Sequence, residues 1–481
     1  MIALAFLPEL TKGMQMLHTK TFHLNANQQA LFYFLLYVCF LIVARVFLCY
    51  PILSYDEAEQ VFFAQKLSAG YPAQPPFYTW LQWLAFKGMG LNLFSLALVK
   101  YTLIGACFYI YHLICRYYCH NSLLAWCATL SWAFIPNISY DFLPHKTHVI
   151  TALLVSCLTW YWFIKPQRAP KFVWYAGLGL LIGIGILSKF NYLIFLAVLL
   201  ISALTIQEYR VKVIAPGILI SFAIAVFISS PYWVWLIHNA SVGLSASYKL
   251  VLPEKNQWHG VIRLFAAFLC FIGPLVLIKI FFPLSRVAIV HTPQNQLLWR
   301  YHLVVFPFLV LFVIASGMNN VRTHWVLPIL FLTPVWFFHI VDIKKYSLRR
   351  ARYYLGLCLL VQLGLVSAWI IHIPNSAESP MMQLVEDIKK DHQPVTLVVA
   401  DSDLLVGNLM LFLGLKDGIL IPFMKEQVFP KENMLMVWEG ANPPYWVNYL
   451  LVGKHPLTKP ITTRHENEVM GHAYSLQKDN D

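Results

Sequence analysis

Apolar segments long enough to cross a lipid bilayer recur along this 481-residue chain and constrain its fold more than any other feature. A bilayer core is about 30 Å thick and needs about 20 apolar residues per helical span. We find about eleven such segments, at residues 30–50, 93–114, 122–138, 148–164, 172–188, 190–206, 213–237, 261–283, 303–316, 325–341 and 353–373. Hydrophobic residues make up 59% of the chain and charged residues 12%. The sequence therefore predicts an α-helical polytopic membrane protein.

Cations between the predicted spans indicate the orientation of the chain, because Lys and Arg favour the cytoplasmic side. With eleven spans the main clusters fall on one side: Lys12, Lys20, Lys165, Arg168, Lys171, Arg210, Lys212, Lys344, Lys345, Arg349, Arg350 and Arg352. Residues 1–29 are then a cytoplasmic N-terminal tail, which lacks the layout of a cleavable signal peptide. The first loop, residues 51–92, and the chain after about residue 373 fall on the extracytoplasmic side.

The net charge of +13 follows mainly from this topology and also suits anionic lipid headgroups. The lipid bilayer is thus a predicted partner. Nucleic acid is not, since the sequence has no basic soluble domain with interleaved aromatic residues. The nine cysteines lie in or beside predicted spans, which is typical of buried small hydrophobic residues and not of a disulfide framework.

The composition changes after the last predicted span, where polar residues return and apolar runs shorten to strand length. Strands are predicted at Val395–Ala400, Gly418–Phe423 and Met434–Trp438, with a helix at Asp401–Leu413. Residues 374–481 are therefore predicted to form a small C-terminal α/β extracytoplasmic domain. Asp401 and Asp403 are interpreted as a helix cap, so little catalytic content is expected there.

The first loop carries the carboxylates Asp56, Glu57 and Glu59 directly after the first apolar segment. A carboxylate at the end of a span stays hydrated, whereas one near the bilayer centre costs about 3 kcal/mol. Further along, a helical pattern over 60–69 ends at Gly70. Pro72, Pro75 and Pro76 then predict an extended turn before a helix over Phe77–Phe86, which includes Tyr78 and suits the headgroup plane.

Four other polar groups interrupt apolar sequence on the same predicted side of the membrane. They are Asp141 with His145, Lys146 and His148; Lys189 with Asn191; His238 with Asn239; and Arg322 with His324. Any one of them alone could be a helix-end side chain that reaches for the membrane surface. Together they place cations near the first-loop carboxylates. That combination is expected where a phosphate leaves and a hydroxyl or amine loses a proton.

Several of these motifs resemble one family of membrane enzymes. The first-loop strings Tyr55–Glu59 and Gln74–Trp80 resemble the bacterial members of the protein O-mannosyltransferase-like superfamily, which are the glycosyltransferase family 39 and aminoarabinose-transferase relatives with the GT-C fold. Gly183–Asn191, Ser230–Trp235 with His238-Asn239, and His324–Pro328 are similar to later segments of that family. The likeness covers about residues 30–370, and the α/β tail resembles the family's periplasmic extension. The Asp-Glu and Pro-Pro strings are the most specific part of it.

The resemblance implies an inverting glycosyltransferase in the bacterial inner membrane. It would move a sugar from a polyprenyl-phosphate donor to an envelope acceptor, such as lipid A, a glycan or a protein, at the periplasmic face. Asp56 matches the family's acid at the end of the first span, and Glu57 is its neighbour in the motif. Lys189, Arg322 and His324 match positions near the lipid phosphate, and Lys146 is a further phosphate-binding candidate. The substrate-pocket candidates are Glu59, Pro75, Pro76, Tyr78, Asp141, His148, Asn191 and His238.

Some alternatives stay open at this point. A carrier or flippase of lipid-linked sugars would also be polytopic and cationic on one face, although transporters tend to show repeated halves and charges near the bilayer midplane. A third hypothesis is that the protein is a non-catalytic relative that keeps the fold. The second loop departs from the family's usual short string, which leaves the role of Asp141 open. A divalent metal between Asp56, Glu57 and Asp141 is also open, because carboxylates alone at this spacing are no metal signature.

Overall fold

The computed structural model describes residues 25–119, 121–166, 170–282, 292–339, 341, 347–371, 380–421, 433–450, 461–465 and 468–475. Most of these residues are helical. Several predictions lie outside the described residues: most of the N-terminal tail, the cations Lys344 and Lys345, and the end of the predicted strand Gly418–Phe423.

Seven helices in the described part of the chain are long and apolar enough to cross a membrane. They are Ala26–Leu48, Leu93–Tyr118, Lys171–Ser188, Ile218–His238, Gln257–Phe281, Pro293–Ser316 and Leu348–Ile371. An eighth crossing is formed if Asn191–Leu204 and Gln207–Ile214, which meet at 119°, count as one bent span. The chain is thus a multi-pass membrane protein.

Shorter helices account for the other predicted spans and for the loops. The α-helices are Tyr55–Phe63, Phe77–Met89, Ser122–Leu130, Pro136–Ser139, His148–Ile164, Ala240–Gly243, Leu327–Leu330 and Thr333–Phe338. The 3₁₀ turns are Ser131–Phe134, Ser245–Lys249, Pro274–Val276 and Thr323–Trp325, and a π-turn, Ala44–Leu48, ends the first span. Each of the eleven predicted segments therefore coincides with described helix. Two are broken near Pro136 and Pro334, because proline cannot donate to the preceding turn.

The weakest of the predicted spans, 303–316, is the C-terminal part of the 24-residue helix Pro293–Ser316. Its polar start hid the first turns from a hydropathy reading. The helix Lys171–Ser188 packs tightly on Ile218–His238, since a Cβ at Gly179 would lie 2.6 Å from the Ser221 carbonyl oxygen. Small residues at such contacts let membrane helices approach closely. This packing fixes the end of the helix from which Lys189 emerges.

The predicted C-terminal α/β unit is present and contains a five-stranded sheet. Its strands are β1 (Leu397–Ala400), β2 (Asp417–Leu420), β3 (Met434–Glu439), β4 (Ile461–His465) and β5 (Glu468–Ser475), in the order β2-β1-β3-β5-β4. β1 pairs in parallel with β2 and β3, and β5 is antiparallel to β3 and β4. Helices Pro380–Lys390, Asp403–Leu413 and Tyr445–Leu450 complete the unit. The first and third of these helices and strands β4 and β5 were not predicted.

Two helices recur below and are named here. The loop helix is Tyr55–Phe63 in the first loop, and the domain helix is Asp403–Leu413 in the C-terminal unit. The loop helix begins five residues earlier than the helical pattern at 60–69 predicted, because Ser54 caps it. The two helices share one hydrophobic cluster, in which Ala58 and Val61 pack with Leu405 and Leu409.

Candidate active site

A polar cavity of about 280 Å³ lies where the first loop meets the ends of several membrane helices. Its charged and imidazole side chains are Asp56, Lys146, His148, Lys189, Lys249, Arg322 and His324. All of these except Lys249 were predicted as site residues. The fold therefore gathers residues from distant parts of the sequence around one space, with four cations facing one carboxylate.

Asp56 lies in the first turn of the loop helix, where the positive end of the helix dipole favours a negative charge. Asp56 is partly exposed at the cavity wall. Its Oδ2 accepts a hydrogen bond from the backbone N–H of Lys146 at 2.7 Å. This bond ties the first loop to the second and fixes the orientation of the carboxylate.

The backbone is strained at two places in the cavity wall. Lys146 has φ 63° and Ala73 has φ 59°, in the left-handed region that residues with a side chain rarely adopt. The Ala73 N–H donates to the Val242 carbonyl at 3.1 Å, which holds this conformation in place. Such strain costs about 1–3 kcal/mol per residue and clusters at functional sites. Its presence twice in one cavity supports a functional role for this space.

The cations of the cavity stand on different elements. Lys189 follows the helix Lys171–Ser188, and its burial lowers the pKa of its ammonium, while Asp56 and Glu59 oppose that change. Arg322 precedes the turn Thr323–Trp325 and is exposed. Burial and the nearby Lys189 lower the pKa of His324 to about 2. The His324 imidazole is therefore neutral at neutral pH.

Lys249, which the sequence analysis missed, is held in the cavity by two buried asparagines. Asn320 Nδ2 donates to the Lys249 carbonyl at 2.8 Å. Asn319 Nδ2 donates to the carbonyls of Leu252 and Lys255, and Asn319 Oδ1 accepts from Leu252 N at 2.6 Å. These bonds fasten the Lys249 loop to the segment that leads to Arg322. The available signal was a lysine in a loop that the sequence analysis assigns to the extracytoplasmic side, where cations are disfavoured.

An apolar groove of about 450 Å³ adjoins the polar cavity. The two spaces share Gln74, Lys189, Phe190 and Trp325 among their lining residues. Side chains from three membrane helices line the groove, among them Ile194, Leu264, Leu309, Phe312 and Val313. Pro75 and Asn191 lie here and not in the cavity, and Asn191 Nδ2 donates to the Trp325 carbonyl at 2.8 Å. A ligand could thus place a polar head in the cavity and an apolar chain in the groove.

Glu57 faces away from the cavity into a buried ion cluster. Its Oε2 lies 2.9 Å from Arg45 Nη2, and its Oε1 lies 3.4 Å from Lys100 Nζ. Burial opposes ionisation of Glu57, but the charges of Arg45 and Lys100 outweigh it and lower its pKa to about 2. Arg45 also donates to the carbonyls of Tyr50 and Ile52. Glu57 thus joins the loop helix to two membrane helices, and its side chain does not line the cavity in which Asp56 stands.

Three other predicted residues lie outside the polar cavity. Glu59 is buried, and its burial and the charges of Asp56 and Asp403 raise its pKa well above the usual value. Asp141 Oδ2 accepts from Asn137 Nδ2 at 2.9 Å. His238 is exposed at the end of its helix, with its ring bonded to the Val234 carbonyl. None of these three side chains lines the cavity, although Glu59 is close enough to Asp56, Lys189 and Lys249 to interact with their charges.

His148 lines the cavity and sits on a short polar network. Gln60 Nε2 donates to His148 Nε2 at 3.0 Å, and Thr79 Oγ1 donates to Gln60 Oε1 at 2.9 Å. The ring of Tyr78 packs 5.5 Å from the imidazole, and Pro76 caps the helix that carries Tyr78 and Thr79. The two halves of the first loop are therefore joined through His148. Gln60 was not predicted as a site residue.

A metal site was left open by the sequence. Among the described residues, no three His, Cys, Asp or Glu side chains are grouped so that they could hold a metal ion. Of the three carboxylates considered, Asp56 alone lines the cavity. The structure thus does not bring Asp56, Glu57 and Asp141 together.

Comparison with known proteins finds one partial match to a family model and two relatives in sequence. The family model described as dolichyl-phosphate-mannose-protein mannosyltransferase matches residues 73–235. Two lipopolysaccharide core galacturonosyltransferases of Rhizobium johnstonii are similar in sequence. RgtB is 27% identical over 375 residues, which cover 74% of this chain and 76% of RgtB. RgtA is 28% identical over 423 residues, which cover 83% of this chain and 84% of RgtA.

Solved structures agree at the level of the fold. ArnT from Cupriavidus metallidurans bound to undecaprenyl phosphate superposes with a TM-score of 0.63 at 10% identity, over 93% of this chain and 98% of ArnT. The same enzyme in the apo state gives a TM-score of 0.51 at 12% identity, over the same shares of the two chains. The match to ArnT covers both the helical bundle and the strand-containing C-terminal unit of this chain. The chain thus has the GT-C fold.

Proposed function

We propose that this protein is an inverting glycosyltransferase that takes a sugar from a polyprenyl-phosphate donor. One observation carries the proposal: a cavity with one carboxylate and four cations is continuous with an apolar groove between membrane helices. The apolar groove can bind a polyprenyl chain, and the cations can bind its phosphate. The Asp56 carboxylate can accept the proton of the acceptor hydroxyl. ArnT, whose fold this chain shares, binds undecaprenyl phosphate, a ligand of this chemical kind.

The reaction would be a single displacement. The acceptor oxygen attacks the anomeric carbon while Asp56 takes the hydroxyl proton, and the bond from the anomeric carbon to the phosphate oxygen breaks. One displacement inverts the anomeric carbon. The polyprenyl phosphate leaves with one more negative charge than it had in the donor. Lys189 and Arg322 would stabilise that charge as it grows, which is the kind of interaction that accelerates the chemical step.

The number of cations points to a donor with a second negative charge. Four cations and Asp56 line the cavity, whereas a sugar phosphodiester carries one negative charge. A uronic acid adds a carboxylate, and both sequence relatives are lipopolysaccharide core galacturonosyltransferases. The finer proposal is therefore a uronosyl donor and a lipopolysaccharide core acceptor. Lys249, which lies on its own loop, is assigned to the sugar carboxylate.

The proposal includes a location and a division of the chain. Residues 1–29 would be a cytoplasmic tail, residues 30–373 the membrane catalytic domain in the bacterial inner membrane, and residues 374–481 a periplasmic domain. The active site then faces the periplasm, where lipopolysaccharide is accessible. The positions of cations between the spans support this orientation.

The test uses the purified full-length protein in lipid nanodiscs. Undecaprenyl-phosphate galacturonic acid and undecaprenyl-phosphate galactose are each supplied with lipopolysaccharide core, and the released undecaprenyl phosphate is measured. We expect release with the uronosyl donor and at least about 10-fold less with the neutral sugar, since an unpaired cation would remain at the sugar. Lys249→Met should reduce this preference, while Lys255→Met, on the exposed part of the same loop, should not.

A second pair of variants tests the base. Asp56→Asn keeps the side-chain shape but removes the proton acceptor, so turnover should fall by about 10²-fold or more. The exposed Glu254→Gln is the matched control. Wild-type turnover in Asp56→Asn would refute the role of Asp56. If the wild-type protein releases no lipid phosphate with any donor and acceptor, but moves the donor across liposomes, it is a carrier.

A further inference from the structure

Three consecutive residues of the loop helix, Asp56, Glu57 and Ala58, contact three different parts of the structure. Successive residues of an α-helix point about 100° apart. Asp56 lines the cavity, Glu57 meets Arg45 and Lys100, and Ala58 faces Gly407 of the domain helix. The position of the Asp56 carboxylate therefore depends on what holds the other two sides. The C-terminal unit supplies one of them.

The contact between the loop helix and the domain helix is a close one. A Cβ at Gly407 would lie 2.4 Å from the Ala58 carbonyl oxygen and 2.6 Å from the Ala58 Cα. Backbone therefore meets backbone, and no side chain fits between the helices without moving one of them. Around this point Val61 packs with Val406 and Leu409 in one buried cluster. The residues at this contact make it a fixed joint.

Polar contacts hold the loop helix at both of its ends. At the N-terminal end, Asn408 Oδ1 accepts from the buried Leu53 N–H at 2.8 Å, and Tyr55 Oη donates to Asp403 Oδ2 at 2.7 Å. At the C-terminal end, Gln65 Oε1 accepts from the Gly418 N–H at 2.8 Å. All three contacts are made with the C-terminal unit, and the first two involve residues that closely precede Asp56 in sequence. Asp403, expected to be only a helix cap, is thus part of this joint.

We infer that the C-terminal unit is a positioning element of the active site, and that docking of its domain helix sets where Asp56 stands relative to the cations. This inference rests on the proposed function, in which Asp56 is the base. Lys146, Lys189, Lys249 and Arg322 are carried by elements other than the loop helix. Loosening the joint should therefore impair proton removal and leave the phosphate site intact. Gly407 and Asn408 are the positioning residues.

The test compares Gly407→Ala with Gly364→Ala, which makes the same change where a Cβ would meet nothing within 4 Å. Both full-length variants are purified in nanodiscs and checked for folding. Two quantities are measured: the affinity for undecaprenyl phosphate and kcat with the uronosyl donor. For Gly407→Ala we expect kcat to fall about 10-fold to 100-fold with affinity within about twofold, since a 1 Å displacement of a reacting group has such effects. Gly364→Ala should leave both unchanged.

Hydrogen exchange of the peptide that covers residues 55–63 gives a readout without turnover. The loop helix should exchange faster in Gly407→Ala and in Asn408→Ala than in the wild type, because one of its three supports is weakened. A folded Gly407→Ala with wild-type kcat and wild-type exchange would overturn the inference, as would a parallel loss of kcat and lipid-phosphate affinity. If the wild type shows no turnover but the loop helix exchanges faster in Gly407→Ala, the contact between the two helices is supported and the proposed glycosyltransferase activity is rejected.

Discussion

Removing the charge of Glu57 should destabilise the protein more than it impairs the chemistry of the folded fraction. In the structure both oxygens of Glu57 lie in a buried cluster with Arg45 and Lys100, and the pKa of Glu57 falls from the usual 4.5 to about 2. At about 1.4 kcal/mol per pH unit, that fall corresponds to about 3 kcal/mol of stabilisation. Loss of one partner from a buried pair costs a similar 3–5 kcal/mol or so. We therefore expect Glu57→Gln to lose about 3 kcal/mol.

The pH dependence follows from the direction of this shift. Because the folded-state pKa of Glu57 is lowered, its contribution is fully present above about pH 4.5 and is lost as the pH falls towards about 2. The wild type should thus lose this stability between pH 4.5 and 2. Glu57→Gln should lack that part of the acid dependence.

The assay is unfolding in detergent, followed by tryptophan fluorescence at pH 7 and at about pH 2.5, with activity measured on the fraction folded at pH 7. Asp387→Asn is the control, because Asp387 forms an exposed pair with Lys390 at 3.7 Å, and such pairs contribute about 0–1 kcal/mol. Replacing Arg45, Glu57 and Lys100 together by apolar residues should recover much of the stability, since no buried charge is then left unpaired. Glu57→Gln that is as stable as the wild type but inactive would refute the structural role and restore the predicted catalytic one.

Three further predictions follow from the site and the topology. Lys189→Met should lower the rate of lipid-phosphate release, measured by single-turnover kinetics, more than it weakens donor binding. Lys171→Met, at the other end of the helix that precedes Lys189, should change neither quantity. Equal losses of rate and binding in Lys189→Met would contradict a role in the transition state. Asn319→Leu should reduce the preference for the uronosyl donor over the neutral sugar donor, because it removes the hydrogen bonds that hold the Lys249 loop. An unchanged preference would show that these hydrogen bonds are not needed to position Lys249. Alkaline phosphatase fused after Asp391 should be active if the C-terminal unit is periplasmic, and an inactive fusion would reverse the proposed orientation.

Hydropathy predicted the membrane part well, because the bilayer imposes a length and an apolar composition on each span. All eleven predicted segments coincide with helix, although seven helices are long enough to cross alone. The segment 325–341 is broken into the helices Leu327–Leu330 and Thr333–Phe338, where prolines interrupt the hydrogen bonds. Strands β4 and β5 escaped prediction, because the pairing of β5 with β3 and of β4 with β5 stabilises them more than their own composition does.

The site could be predicted in residue type but not in arrangement. Six of the seven charged or imidazole residues that line the cavity were predicted as polar residues within apolar sequence. Such residues are costly to place near a bilayer, so their presence indicates a function. Lys249 was missed because its place in the cavity depends on Asn319 and Asn320, which act from a distant part of the sequence. No local pattern records such a contact.

The sequence by itself determined that this chain crosses a membrane repeatedly, that it carries an acid beside its first span, and that its C-terminal part is a separate α/β unit. These properties depend on composition and periodicity, which act locally. Only the tertiary structure decided that Asp56 faces the cations while Glu57, one residue later, faces Arg45 and Lys100. Adjacent helix residues point about 100° apart, so their surroundings are set by the elements that pack on each side.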